Sequence, residues 1–181
     1  ITGLKEKQMA ELRAQEFGFV FQQMHLVSNL TLWENVVVPG YLKKSRSTKE
    51  TRERALKLLE QMNVSKAKDR MPSQVSGGEA QRTAIARALI NEPGILFADE
   101  PTGALNKHNT EEVLDLFTQI HREGQSIVLV THDMRAAVRG NRFLYLEDGK
   151  IIGEMTMPPF EETESKNREK QLDAWLTSLN W

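Results

Sequence analysis

The chain has 181 residues, enough for one domain of ordinary size, with 39% hydrophobic and 27% charged residues and a net charge of −1. That balance gives no electrostatic case for nucleic acid as the main partner. The absence of cysteine excludes disulfides and thiolate metal sites and fits a reducing compartment. The longest apolar runs, "SIVLV" and "GILFA", have strand length and fall far short of the roughly 20 residues needed to span a bilayer.

In chain order, Lys5 to Gln15 reads as a short polar helix and "FGFVF", Phe17 to Phe21, as a strand. Gln22 to Leu30 is a loop. Asn29 or Thr31 can cap a helix starting near Leu32, which Pro39-Gly40 is expected to interrupt. Thr48 to Met62 carries Ala55, Leu56, Leu59 and Met62 at helical spacing. A polar connection leads to Ser76, which reads as the N-cap of a helix over 78–90. "GILFA" is expected to be a fully buried strand, and so is "SIVLV". Between them, Asn109 to Arg122 is amphipathic, with Val113, Leu114, Leu116, Phe117 and Ile120 on its apolar side and Gly124 ending it. Asp133 caps a short helix. "RFLYLEDGKIIGEM" is a hairpin turning at Asp148-Gly149, after which Pro158-Pro159 is expected to end the folded pattern. Ser165 to Leu179 is a charged helix carrying Leu172, Trp175, Leu176 and Leu179. Strands alternating with helices give an α/β fold with a largely parallel sheet, into which a helical segment from about residue 32 is inserted.

Four places carry possible chemistry. An apolar strand ending in Asp99-Glu100 puts two carboxylates at the carboxyl edge of a parallel sheet, where ligands of α/β folds bind. One suits Mg²⁺, and the next can orient a water for attack on a phosphoryl group. The plain alternative is an acid pair that caps a helix. Ser76-Gly77-Gly78 at a helix start offers backbone N–H groups and a positive dipole end to an anion, or else is a simple turn and cap. His132 follows an apolar strand and can donate to a phosphate or serve structure alone. Gln22, at another strand end, can reach a metal ion or water.

Taken together, "GFVFQQMHLVSNLTLWENV", "VSGGEAQR", "ILFADEP" and "THD" occur in this order, and over residues 1–155 the sequence resembles the ATP-binding subunit of ABC transporters. "ADEPTGAL" resembles the lipoprotein-release and macrolide-export branch. The resemblance implies a P-loop NTPase-like sheet flanked by helices, with a helical subdomain at about 32–90. It implies a partial nucleotide-binding domain over 1–157 and a charged helical extension over 158–181. It further implies ATP and Mg²⁺ as cofactors, a second nucleotide-binding domain and a membrane permease as partners, and a place at the cytoplasmic face of the membrane. Glu100 would be the catalytic base and His132 would stabilise the transferring phosphate. Asp99 and Gln22 would serve Mg²⁺, with Gln22 also signalling to the permease. Gln22, Ser76, Gly77, Gly78, Glu79 and Asn106 make up the implied nucleotide-binding set, with Ser76, Gly77 and Gly78 facing ATP held by the opposite subunit. Glu79 and Ala80 stand where Gln-Gln is commoner. Asn106 stands where the family usually has Asp, which bears on signalling between subunits.

A nucleotide site of this kind also needs a phosphate loop, G-x-x-x-x-G-K-[ST]. The only Gly-Lys here is Gly149-Lys150, in the hairpin and followed by Ile151. The expectation is therefore that the chain begins after that loop and early strands, and that a polypeptide of these residues alone is inactive. The alternative functions are an ABC-type ATPase of DNA repair or translation, and a non-catalytic binding module. The segment between Gln22 and Ser76 carries no sustained heptads, which disfavours the long coiled coil of the repair proteins.

Overall fold

The computed structural model describes residues 5–43 and 46–179, and the outermost residues of the expected 1–157 and 158–181 segments lie outside it. The chain forms two compact units, Ile1–Val130 and Thr131–Trp181.

In the first unit, α1 (Glu6–Glu16) leads directly into β1 (Phe17–Phe21). Helices α2 (Leu32–Gly40), α3 (Thr48–Gln61) and α4 (Gly77–Leu89) follow, then β2 (Ile95–Asp99), α5 (Lys107–Arg122) and β3 (Ser126–Val130). The three strands make a parallel sheet in the order β1-β2-β3. Phe17 pairs with Ile95, which pairs with Ser126, so the strands run level and their carboxyl ends share one edge.

Helices α2, α3 and α4 each begin with a reciprocal cap. Thr31, Ser47 and Ser76 accept from the N–H groups of Glu34, Glu50 and Glu79, whose side chains reach back to the cap residue. Between Thr31 and Asn29 as candidate caps, the helix uses Thr31. Pro39 does not interrupt α2. It sits in the last turn, and the helix ends one residue later at Gly40. Ser76 caps a helix that starts at Gly77, one residue before the expected position.

One apolar cluster holds this unit together: Val36, Val37, Leu59, Ile85 and Ile90 from the helices meet Val20, Leu96 and Ala98 from the sheet, with Val113 and Phe117 of α5. Three burial expectations need correction. On α3, Leu58 lies inside and Leu56 is exposed, because the buried stripe runs Thr51, Ala55, Leu58 and Leu59 and turns Leu56 to solvent. β2 is not buried on both faces: Leu96 and Ala98 face the core, while Ile95 and Phe97 are half-buried. β3 alternates too, with Ile127 and Leu129 inward and Val128 and Val130 exposed. The helices that supply the cluster cover a single face of the sheet. On the other face Phe17, Phe19 and Phe97 stack or meet edge to face, with ring centroids 5.4 to 6.5 Å apart.

The second unit contains α6 (Met134–Ala137), β4 (Arg142–Glu147), β5 (Lys150–Thr156) and α7 (Ser165–Ser178). β4 and β5 form the expected hairpin. Asp148 and Gly149 both have positive φ, 47° and 73°, as a two-residue type I′ turn requires. The fold does not stop at Pro158-Pro159. Leu172 of α7 is buried with Val138, Phe143 and Met157, and Trp175 and Leu176 pack against them. The spacing of these side chains gives α7 one apolar stripe, and the hairpin supplies what covers it. Arg168, 2% exposed, donates to the carbonyls of Val138 (2.8 Å), Pro158 (2.9 Å) and Gly140, and so ends α6 and anchors α7 together.

Candidate nucleotide site

The site of the first unit is built at the carboxyl edge of the sheet. Phe21, Asp99 and Val130 are register partners. The residues that follow the first two, Gln22 and Glu100, therefore leave the sheet side by side. Asp99 is exposed at its strand end. Glu100 has φ 44°, a conformation that costs a non-glycine residue roughly 1–3 kcal/mol and concentrates at functional sites. Two backbone hydrogen bonds fix it there: its N–H donates to Val130 O (2.9 Å), and its carbonyl accepts from Gly103 N–H (3.1 Å). The strand end is thus turned by force, and the Glu100 side chain is re-aimed relative to Asp99.

Gln22 lies against the same turn. A Cβ at Gly103 would stand 2.9 Å from Gln22 Nε2, so glycine at 103 is what admits the glutamine side chain. Next to this turn, Asn106 caps α5 by accepting from Asn109 N–H at 3.0 Å. Asparagine meets the capping need that aspartate would meet, without its charge.

The Ser76 end of α4 packs onto this region. A Cβ at Gly78 would lie 2.6 Å from Asn109 Cγ, so the helix start and α5 touch closely there. Gly77 is more open, with Leu105 Cδ2 3.6 Å and Met24 Cε 4.0 Å from its Cβ position. Ser76 and Gly77 are both exposed. Ser76 Oγ donates to the Glu79 carboxylate (2.9 Å) and accepts from Glu79 N–H (3.2 Å). The backbone and side-chain hydrogen bonds from Ser76 hold the Glu79 carboxyl below its ordinary range. A negative charge therefore sits within the cap at neutral pH.

His132 and Asp133 belong to the second unit. His132 is exposed. Asp133 caps α6 through Arg135 N–H (2.9 Å) and pairs with the Arg135 guanidinium (2.8 Å). Burial works to raise the Asp133 carboxyl, but the Arg135 hydrogen bonds and charge outweigh it and hold the group low.

The chain matches the ABC transporter family over residues 2–103. It belongs to that family. It is 48% identical to the lipoprotein-releasing system ATP-binding protein LolD of Aquifex aeolicus over 151 residues, 83% of this chain and 67% of LolD. It is 46% identical to the macrolide export ATP-binding/permease protein MacB of Pectobacterium atrosepticum over 163 residues, 90% of this chain. The chain spans about a quarter of that relative, 25%. Both names match the lipoprotein-release and macrolide-export branch expected from "ADEPTGAL". Among solved structures it resembles the dimeric post-hydrolysis state of the ATP-binding cassette MJ0796 bound to ADP and Pi, with a TM-score of 0.75 and 38% identity. That likeness covers 87% of this chain and 70% of the other.

Within this ABC family chain, three side chains that hold the site were given no role by the sequence reading, although Gln81 and Asn35 fall inside its motifs. Gln81 of α4 donates to Phe21 O at 3.1 Å. Arg87, a turn and a half further along, donates to His25 O (2.6 Å) and Met24 O (2.8 Å). Asn35 of α2 is buried. Its Oδ1 accepts from Val27 N–H (2.7 Å), and its Nδ2 reaches the carbonyls of Val27, Leu30 and Thr31. The loop after Gln22 is thus fastened to two helices through its backbone. A buried asparagine on an otherwise apolar helix stretch, "WENVVV", was the one available sequence signal for this.

Proposed function

We propose that the chain is part of the ATP-binding and ATP-hydrolysing subunit of an ABC transporter, working as a dimer of such subunits with a membrane permease at the cytoplasmic face. The shared sheet edge carries this reading: Gln22, Asp99 and Glu100 leave neighbouring strand ends together, with the Ser76 helix start packed beside them. That placement supports the roles proposed for Gln22, Ser76, Asp99 and Glu100. Glu100, turned out of the strand line, would accept a proton from an attacking water. The Asp99 carboxylate and the Gln22 side-chain oxygen form a hard-oxygen donor set of the kind Mg²⁺ takes with substrate phosphates, and they would hold that ion. The ion supplies charge neutralisation at the phosphates when bound. Ser76, Gly77 and Gly78 present a helix N-terminus to the phosphates of nucleotide held by the other copy, with Glu79 and Asn106 shaping the two helix starts around it. His132 would donate to the transferring phosphate.

The dimeric state of MJ0796 with ADP and Pi supports both the nucleotide and the second copy. The names of LolD and MacB favour transport over the repair and translation roles. The helical segment 32–90 is then the signature subdomain, and the stretch from Met24 to Val38, which exposes Val27 and Val38, would face a permease. No helix among the described residues is long and apolar enough to cross a membrane. The test is Glu100→Gln in the full-length protein. It keeps the side-chain shape and removes the base, so MgATP binding should stay within about twofold while kcat falls by about 100-fold or more. Hydrolysis at the wild-type rate would remove Glu100 from the base role.

A further inference from the structure

One charged side chain ties the loop that carries Gln22 to the helix that carries Ser76. Arg87 stands near the end of α4, the helix that Ser76 begins. Its two terminal nitrogens reach two consecutive carbonyls, Met24 O at 2.8 Å and His25 O at 2.6 Å. No carboxylate pairs with it among the described residues, so its hydrogen-bonding fork is committed to the loop backbone. His25 has φ 48°, an unusual conformation outside glycine, and the guanidinium grips the loop at that bend. Burial lowers the Arg87 pKa, but a guanidinium keeps its proton in proteins, so the grip is a charged one. Met24 completes the connection. Its carbonyl is held near the end of α4, and its terminal methyl carbon Cε comes within 4.0 Å of the Cβ position of Gly77 at the start of the same helix. On the other side, Gln22 fits against Gly103.

We propose that Arg87 is a positioning residue that locks the loop bearing Gln22 to the helix bearing Ser76, so that a displacement of either is carried to the other. The inference rests on the nucleotide reading of Gln22 and Ser76. A lysine at 87 delivers one point charge and reaches one carbonyl at a time, whereas arginine spans both. The lock therefore depends on the fork and not on charge alone.

The test uses the full-length protein with a nitroxide label attached at Gln23→Cys, any cysteines outside this chain being replaced. Without nucleotide, Arg87→Met should raise the label's mobility, Arg87→Lys should raise it less, and a label at Arg52→Cys on α3 should not respond. With MgATP, Arg87→Met should lower kcat about tenfold with KM within about twofold, since ground-state binding is untouched. Combining it with Gln22→Ala should cost no more than Gln22→Ala alone, as for two parts of one device. If Arg87→Met does not fold, Arg87→Lys carries both measurements. Unchanged mobility at 23, or losses that multiply in the double variant, would overturn the proposal. Gln22→Ala without effect on hydrolysis, while mobility at 23 still rises, would instead reject the nucleotide role of Gln22 and leave the lock standing.

Discussion

Glycines 77 and 78 are adjacent in the sequence and differ in what encloses them. Gly78 has no room for a methyl group, because Asn109 Cγ and Oδ1 both lie 2.6 Å from where it would go. Gly77 has room, its nearest neighbour being Leu105 Cδ2 at 3.6 Å. Gly78→Ala should therefore destabilise the fold by about 1–3 kcal/mol, the usual cost of overpacking. Gly77→Ala should be neutral, or stabilise by up to about 1 kcal/mol through reduced freedom of the unfolded chain. Urea unfolding of the two variants checks this, and equal destabilisation would contradict it. If Gly77→Ala folds well yet loses hydrolysis in the full-length protein, the phosphate-facing role of that glycine gains direct support. Both glycines were legible in the sequence as a helix start, whereas the capping role of Asn106 was not read there. The different tolerance of the two glycines was not legible either, because it depends on Asn109, distant in sequence and brought near only by folding.

Three helices of the first unit share one device at their start, and its chemistry is that of a carboxylate. Hydrogen bonds from Ser76 lower the Glu79 carboxyl, and Thr31 and Ser47 do the same for Glu34 and Glu50. A folded-state pKa below the unfolded value means stability that is fully present above the ordinary carboxyl range and is lost as pH falls through the lowered one. The window thus opens at about 4.5, the ordinary value, and extends downward. Glu79→Gln keeps a side chain able to close the cap but removes its proton equilibrium. Its deficit relative to the unaltered chain at pH 7 should shrink as pH falls below that value, measured as the difference in urea midpoint. A constant difference from pH 7 to pH 3 would show that the Glu79 cap contributes nothing of this kind. The elements themselves were largely readable, since capping residues and apolar periodicity are local. Burial of β2 and β3 was misread: an all-apolar run looks the same whether one face of the sheet is covered or both. The ties made by Arg87 and Gln81 were equally silent, because arginine and glutamine on a helix ordinarily face water, and only the return of the loop over α4 turns them inward.

For the molecule as a whole, the uncovered side of the parallel sheet sets its behaviour in solution. Phe19, Phe21, Val128 and Val130 are each at least 38% exposed there, and Phe97 lies between them half-buried. β1 and β3 are the edges of the sheet. An apolar face of this kind flanked by open strand edges favours association with another chain. A polypeptide of these 181 residues should show a mass in light scattering that rises with concentration, and Phe19→Glu with Val128→Lys should reduce that rise. A monodisperse monomer at every concentration, for the unaltered sequence, would show the face to be harmless. The first unit's core does not depend on these side chains, since Val20, Leu96 and Ala98 face the other way.

The position of Arg168 and Leu172 in the second unit also has a meaning in time. Ribosomes add about 5–20 residues per second, so Val138 and Phe143 are made a few seconds before the residues that enclose them. Until then the carbonyls of Val138 and Gly140 lack the guanidinium that will take them up. All of the residues in the first unit's apolar cluster precede Val130, whereas the second unit cannot close until nearly the last of its helix has been synthesised. Its hairpin is made before α7 and waits for that helix to cover it.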